Sequence, residues 1–391
     1  MTPSARVQAA IEILDQVIAS AAQDGPPADA IVTRYFKTRR YAGSKDRRAV
    51  RELVFRAIRR SGDRPPSGRA AMIGLAEDDR ELAGWFDGSS HGPTPIGEGE
   101  AGAGAKLIPE WLRSELSPLV TSEEWPALLE RAPLDLRVNI ASTMRGAILE
   151  EFPGANPTAL SPWGIRLPPD SKVDALPSYI NGLVEVQDEG SQLVALACEP
   201  RDGLRIVDLC AGAGGKALAL AAAAPRAEIL ACDTNRARLS QLPPRAERAG
   251  ATIEIRLLDG GREAAQLADW QGAADVVLID APCSGSGTWR RNPEGRWRLT
   301  PARLDRLVGL QARLLDIAAP LVKPGGSLVY AVCSLLGREG AGQVAAFLGR
   351  HSSWTVQDAL PFGREDGDGR LLTPGHDGTD GFFVARLQRS C

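Results

Sequence analysis

A chain of 391 residues can hold two or three domains with a sizeable core, and its ordinary mix of apolar and charged residues excludes a disordered or fibrous protein. No apolar stretch approaches the roughly 18 residues of a membrane span. Glu12 and Asp15 interrupt the apolar run a signal peptide would need, so a cytoplasmic location is expected, with no membrane partner. The net charge of −3 hides a segregation: eleven cations and two acids, Asp46 and Glu52, lie between Arg34 and Arg60. A basic block on one element is an electrostatic footprint for phosphate backbones, so nucleic acid is the expected partner.

The elements follow in order. Apolar residues at Val7, Ala10, Ile11, Leu14, Val17 and Ile18 recur at helical spacing, and Asp24-Gly-Pro-Pro ends that helix. A second helix is predicted over Ala28–Phe36. A third starts near Ser44, a candidate N-cap, with Val50, Leu53, Val54, Ala57 and Ile58 as its apolar stripe. Further helix is expected over Gly68–Leu75 and Asp78–Phe86. Residues 1–86 thus read as a helical domain, and 87–105, rich in Gly, Pro, Ser and Glu, as a flexible linker. Residues 106–185 read as a small α+β unit: a helix from Pro109, a strand over Leu134–Asn139, a helix over Thr143–Phe152, then Pro-rich turns.

Residues 186–391 alternate strand and helix at the spacing of a parallel α/β sheet. Strands are predicted at Leu204–Leu209, Glu228–Cys232, Thr252–Leu258, Val276–Asp280 and Ser327–Val332, with Trp354–Val356 and Gly381–Leu387 completing the sheet. Between the first strand and its helix lies Gly212-Ala-Gly-Gly215, which permits close approach of a ligand to backbone amides at a helix start. Asp233, Asp259 and Asp280 end the second, third and fourth strands, on the edge where such sheets bind ligands. An acid after the second strand can accept ribose hydroxyls, and one after the third can accept an adenine amine. Together with the loop they indicate an adenosine cofactor, either S-adenosylmethionine or a nicotinamide dinucleotide.

The six cysteines form no CxxC pair and there are only three histidines, so no metal site or disulfide framework is expected. Cys198 and Cys232 read as small buried apolar residues. Cys283 follows the fourth strand in Asp280-Ala-Pro-Cys283, and Cys333 follows the fifth. Parallel neighbours would bring both thiols over one pocket. Hydride transfer needs no thiol there, whereas methylation of cytosine carbon 5 does. A thiolate adding to carbon 6 turns the ring into an enamine able to attack a methyl sulfonium. Asp280 is placed to act at ring nitrogen 3, and Lys216, at the start of the first helix, can pair with Asp280 or touch the cofactor. Either cysteine could be the nucleophile on this reading.

These stretches, Val186–Leu193, Asp208–Lys216, Cys232–Leu239, Asp280–Gly287 with Trp289–Pro293, and Tyr330–Leu335, resemble the RsmB/Nop/Sun family of RNA cytosine-5 methyltransferases. Pro133–Asn139 and Ser161-Pro-Trp-Gly164 are similar to the bacterial members that act on 16S ribosomal RNA. Tyr41–Arg48 is similar to their antiterminator-like RNA-binding region. The resemblance implies a Rossmann-like class I methyltransferase sheet preceded by the α+β unit and an all-α domain. It implies S-adenosylmethionine bound at Cys210, Ala211, Gly212, Ala213, Gly214, Gly215, Lys216, Asp233, Arg238, Asp259 and Asp280. Cys333 is then the nucleophile, Cys283 assists release, and the partner of an expected monomer is ribosomal RNA. Three positions depart from the family pattern. Ala213 stands for Pro, Val332 for Thr, and Gly337-Arg-Glu-Gly340 for Pro-Glu-Glu-Asn. The departures at Val332 and Gly340 keep open a non-catalytic RNA-binding assembly factor that retains the cofactor pocket. The missing GxGxxG pattern weighs against a nicotinamide oxidoreductase.

Overall fold

The structure, a computed structural model, describes residues 1–23, 25–168, 171–357 and 361–391. Asp24, the first residue of the expected helix break, lies outside them. By packing, the chain divides into two units. One comprises residues 1–116, 125–130 and 288–301, and the other comprises 117–124, 131–287 and 302–391.

The first unit is built on helices α1 (Pro3–Ala22), α2 (Ala28–Lys37), α3 (Ser44–Arg60) and α4 (Gly68–Glu77). Thr2 caps α1 by accepting from the Ala5 amide, and Ser67 caps α4 by accepting from Ala70, each satisfying a donor the helix leaves open. Ser44 is not the cap expected of it. It is the first helical residue, and Gly43 takes the cap position with no side-chain bond. The apolar stripes close into one core containing Val7, Leu14, Ile31, Val54, Ile58 and Met72. Gly68 lets α4 approach α1: a Cβ there would lie 2.2 Å from the Ile11 carbonyl oxygen.

Two expectations about this unit need correcting. Residues 87–105 carry no helix or strand, but they are fastened to α4. Arg69 holds Glu100 at 2.6 Å, and the Ala103 amide donates to the Ala70 carbonyl. The second correction concerns 288–301, read from sequence as part of the methyltransferase domain. Trp297 is buried in the helical core and donates its indole N–H to the Ser61 carbonyl at 2.7 Å. Arg296, also buried, donates to the carbonyls of Ile58 and Leu107. These backbone acceptors near the end of α3 draw the segment into the first unit.

The second unit carries two sheets. The smaller is antiparallel, with strands β1 (Leu134–Val138), β2 (Asn156–Pro157), β3 (Gly164–Leu167) and β4 (Val184–Val186) in the order β2-β3-β1-β4. Buried Asp135 is held by Arg166 through two bonds of 2.7 and 2.8 Å. Helix α5 (Glu189–Leu196) leads to the large sheet. Its parallel strands are β5 (Arg205–Asp208), β6 (Glu228–Asp233), β7 (Glu254–Leu257), β8 (Ala274–Asp280) and β9 (Val322–Val332). Strands β10 (Trp354–Gln357), β11 (Arg364–Asp366), β12 (Gly369–Leu372) and β13 (Phe382–Arg389) follow. The order is β11-β12-β13-β9-β8-β5-β6-β7, with β10 also on β13 and with β9–β13 antiparallel. Helices α6 (Gly215–Ala223), α7 (Leu242–Ala249), α8 (Pro301–Ala318) and α9 (Ala341–Arg350) accompany it. The unbroken apolar runs of β8 and β9 are buried, as strands covered on both faces must be. This is the Rossmann-like α/β sheet expected from sequence. No helix among the described residues is long and apolar enough to cross a membrane.

Candidate active site

The chain leaves β5 towards β6 and β7, then returns on its other side through β8 and β9. The order reverses at β5, which opens a crevice beyond the carboxyl ends of β5 and β8. The glycine loop lies there. Gly212 has φ +57° and Gly214 φ +83°, in the left-handed region that side chains avoid. A Cβ on Gly214 would meet Leu242 at 2.2 Å, and one on Gly212 would have to displace the Arg238 guanidinium, 2.3 Å away. The Ala211 amide donates to the Cys232 carbonyl at 2.8 Å, and the Ala213 carbonyl accepts from Arg245. The loop is thus a rigid backbone cradle that opens α6.

Asp233 holds this cradle. One carboxylate oxygen accepts from the Gly212 amide at 2.7 Å and the other from Asn235 at 2.6 Å. Asp259 is exposed after β7, and its backbone and carboxylate bond to the Gln266 side chain. The Cys210 thiol is pushed well up by burial and by the acids Asp208, Asp233 and Asp280, so it stays protonated.

At the centre, Lys216 Nζ donates to Asp280 Oδ2 at 2.7 Å. Burial alone would pull the ammonium down. The Asp280 charge and hydrogen bond, with Cys333 and Asp208 beyond, instead hold it above the ordinary lysine value. Asp208, at the end of β5, was not singled out from sequence. It is fully buried, and neither of its oxygens has a hydrogen-bond partner among the described residues. Burial and then the Asp280 charge push it up to about 7, against the pull of Lys216. Its signal in the sequence was its strand-end position, the same one Asp280 holds.

The thiols meet as the strand order requires. Asp280 pairs with Ala331 in the parallel register of β8 and β9, and Cys283 Sγ lies 3.4 Å from Cys333 Sγ. The hydrogen bond to Cys333, burial, and the charges of Cys333 and Glu339 hold the Cys283 thiol well above its usual range. Glu339, completely buried, clamps the two thiol loops together. Its carboxylate accepts from the Ser284 amide at 2.9 Å, from the Gln311 side chain at 2.9 Å and from the Ser334 hydroxyl at 2.6 Å. Gln311 also donates to the Pro282 carbonyl, and the Tyr330 hydroxyl donates to the Glu339 carbonyl. The hydroxyls of Ser284, Ser286 and Ser334 close a ring at 3.1 to 3.2 Å. Sequence reading noted Glu339 only as what remains of a family motif. The departures beside it are accommodated. Val332 is wholly buried, and Gly340 caps α9 without a side chain where a Cβ would meet the Phe383 ring at 2.8 Å.

Two outcomes follow from this geometry. Replacing Glu339 by Ala leaves the Ser284 amide, the Gln311 amide and the Ser334 hydroxyl without their acceptor, at roughly 1–3 kcal/mol per orphaned group. Urea unfolding should show a loss of about 3 kcal/mol or more, and a loss below about 1 kcal/mol would show that the clamp is not structural. The second outcome concerns Asp208. An acid whose folded value is raised binds its proton more tightly in the native state, so stability falls as pH rises from about 4 through 7. The full effect is on the order of 4 kcal/mol. Asp208→Asn should lose this component, so that its stability relative to the unchanged protein rises between pH 4 and pH 8. Parallel pH profiles would contradict it.

Residues 195–388 match the family model described as 16S rRNA methyltransferase RsmB/F. A ribosomal RNA small subunit methyltransferase B from Enterobacter sp. (strain 638) is 39% identical over 290 residues, 72% of this chain and 66% of that one. The enzyme of the same name from Salmonella typhi is 36% identical over 291 residues with the same coverage. The chain therefore spans just under two thirds of the length of these relatives. Among solved structures, that of PH0851 superposes with a TM-score of 0.77 at 22% identity, over 100% of this chain and 99% of that one. That of a methyltransferase homolog protein from Pyrococcus horikoshii superposes at 0.61 and 24% identity, over 70% and 92%. These likenesses show a shared fold. With the family match over the large sheet and its crevice, they lead to one assignment: the chain belongs to the RsmB/F methyltransferase family.

Proposed function

We propose that this protein transfers a methyl group from S-adenosylmethionine to carbon 5 of a cytosine in RNA, with 16S ribosomal RNA as the substrate, through a covalent bond between Cys333 and carbon 6. The observation that carries this is the pair of sulfurs 3.4 Å apart at adjacent strand ends, beside the Lys216–Asp280 ion pair. The names of the relatives supply the RNA, and the basic block between Arg34 and Arg60 supplies a surface for it.

The crevice fits the cofactor. Its glycine cradle takes left-handed backbone angles at Gly212 and Gly214, and an acid ends each of β5, β6 and β8. Cys210 to Lys216, Asp233, Arg238, Asp259 and Asp280 would hold the group, with Asp233 also stiffening the loop. Bound there, S-adenosylmethionine supplies an electrophilic methyl group.

The remaining chemistry belongs to the chain. The Cys333 thiolate adds to carbon 6, and the displaced electrons collect at ring nitrogen 3. The Lys216–Asp280 pair delivers a proton to that nitrogen and recovers it once carbon 5 carries the methyl group. A base then takes the carbon 5 proton, the carbon 5–carbon 6 double bond re-forms, and the Cys333 thiolate leaves. Cys283, whose sulfur lies 3.4 Å from that of Cys333 and whose thiol is held well above its usual range, is suited to donate its S–H to the Cys333 thiolate and so to steady it as it leaves.

Purified protein should place 5-methylcytosine in a 16S ribosomal RNA transcript or particle, measured by mass spectrometry of the nucleosides. Cys333→Ala should lower the rate on the order of 10⁴-fold or more. Full activity in that variant would reject the nucleophile, and methylation at another atom would reject the reaction.

A further inference from the structure

Of the six cysteines, two share a neighbourhood. Cys283 Sγ lies 3.4 Å from Cys333 Sγ, and both residues keep some exposure. The other four have no second sulfur within hydrogen-bond reach among the described residues. Cys198 and Cys232 are wholly buried, and burial raises their thiols far above the usual range. Cys210 is pushed well up by burial and the neighbouring acids, and Cys391, the last residue, is exposed. A thiol that stays protonated in an apolar place is inert to oxidants. The chain therefore carries one reactive pair and, in the three raised thiols, its own internal controls.

The backbone straps this pair together. The Gly287 amide donates to the Cys333 carbonyl at 3.1 Å. Ser284 and Ser334, each the residue after a cysteine, join through their hydroxyls at 3.1 Å and through Glu339, which accepts from the Ser284 amide and the Ser334 hydroxyl. With the loops held, side-chain rotation has only about 1.4 Å to close before the sulfurs reach the separation of a disulfide. We propose that Cys283 and Cys333 form a reversible disulfide when a hydroperoxide enters the crevice, and that this switches methyl transfer off. The disulfide rests on the geometry alone, whereas its effect rests on the reading of Cys333 as nucleophile. The Cys333 thiolate attacks a peroxide oxygen, the O–O bond breaks and an S–O bond forms. Sulfur gives up two electrons to the peroxide, which leaves a sulfenic acid on Cys333. The Cys283 sulfur then attacks the Cys333 sulfur. The S–S bond forms, the S–O bond breaks, and the departing hydroxide leaves as water with the Cys283 proton. Cys283 keeps that proton until this step, held by its hydrogen bond to Cys333 and by burial, so Cys333 is the sulfur oxidised first. The linked pair has no thiolate for carbon 6 and no S–H to steady one. A small thiol reopens the bond by exchange, and the disulfide spares Cys333 the higher oxidation states that thiols do not reverse.

The full chain is treated with hydrogen peroxide, its free thiols are alkylated under denaturing conditions, and unreduced peptides are mapped by mass spectrometry. One link, Cys283 to Cys333, should appear, with Cys198, Cys210 and Cys232 recovered as free thiols. Methyl transfer should fall in proportion to the linked fraction and return with dithiothreitol. In Cys283→Ser, peroxide should instead carry Cys333 to the sulfinic acid, seen as two added oxygens that dithiothreitol does not remove. Oxidation of the unchanged protein at other cysteines, or a sulfinic acid on Cys333 with no link, would overturn the inference. The two readings fail separately. An active methyltransferase that never forms the link overturns the switch alone. A link that forms in a protein unable to transfer methyl groups even when reduced supports the disulfide and overturns the catalytic reading. Full methyl transfer by the linked form overturns both the switch and Cys333 as nucleophile.

Discussion

The parallel register of β8 against β9 is the constraint on which the site depends. Asp280 and Ala331 stand opposite each other at the ends of the two strands, so the loops that follow leave the sheet at one level. Cys283 lies three residues beyond the first and Cys333 two beyond the second, and their sulfurs meet at 3.4 Å. A slip of one residue in either strand would turn one thiol to the opposite face. Glu339 makes this placement durable. A carboxylate with three donors from two loops and a helix costs little to bury while all are present and much when one is lost.

The same strand ends set the electrostatics. Asp208, Asp233 and Asp280 are brought near one another by the parallel strands, and a single cation, Lys216, is paired among them. Asp208 is fully buried at the end of β5, and its burial and then the Asp280 charge push it up to about 7, against the pull of Lys216 and of the Cys210 backbone amide. The first turn of α6 adds its free amides to the positive side of that balance, as the glycine cradle allows. The crevice is therefore poised for a ligand that brings positive charge to the acids and hydrogen-bond acceptors to the loop, as a sulfonium-bearing nucleoside does.

Much of this was legible in the sequence, because parallel sheets announce themselves in unbroken apolar runs ending on polar residues. Each strand from β5 to β9 overlaps its predicted run, and of the two roles open to Lys216, pairing with Asp280 or touching the cofactor, the structure contains the pair. What was not legible depends on contacts between distant positions. Nothing local distinguishes Glu339 or Asp208 from other acids, since their burial comes from neighbours far along the chain. Trp297 and Arg296 carry no periodic pattern, so their recruitment to the helical core could not be read from spacing. The basic block looked uniform for the same reason. Whether Arg56 or Arg60 is free turns on Asp79, Glu77 and Asp78 in the next elements.

On the proposed division of roles, Cys333 bonds to the base and Cys283 frees it. Cys283→Ala is incubated with S-adenosylmethionine and 16S ribosomal RNA, and the products are resolved on a denaturing gel. With release impaired, a protein–RNA adduct should accumulate, and mass spectrometry should place the link on Cys333. The double variant Cys283→Ala, Cys333→Ala should form none. An adduct that survives loss of Cys333, or a Cys283→Ala enzyme that turns over with no adduct at all, would contradict this division of roles.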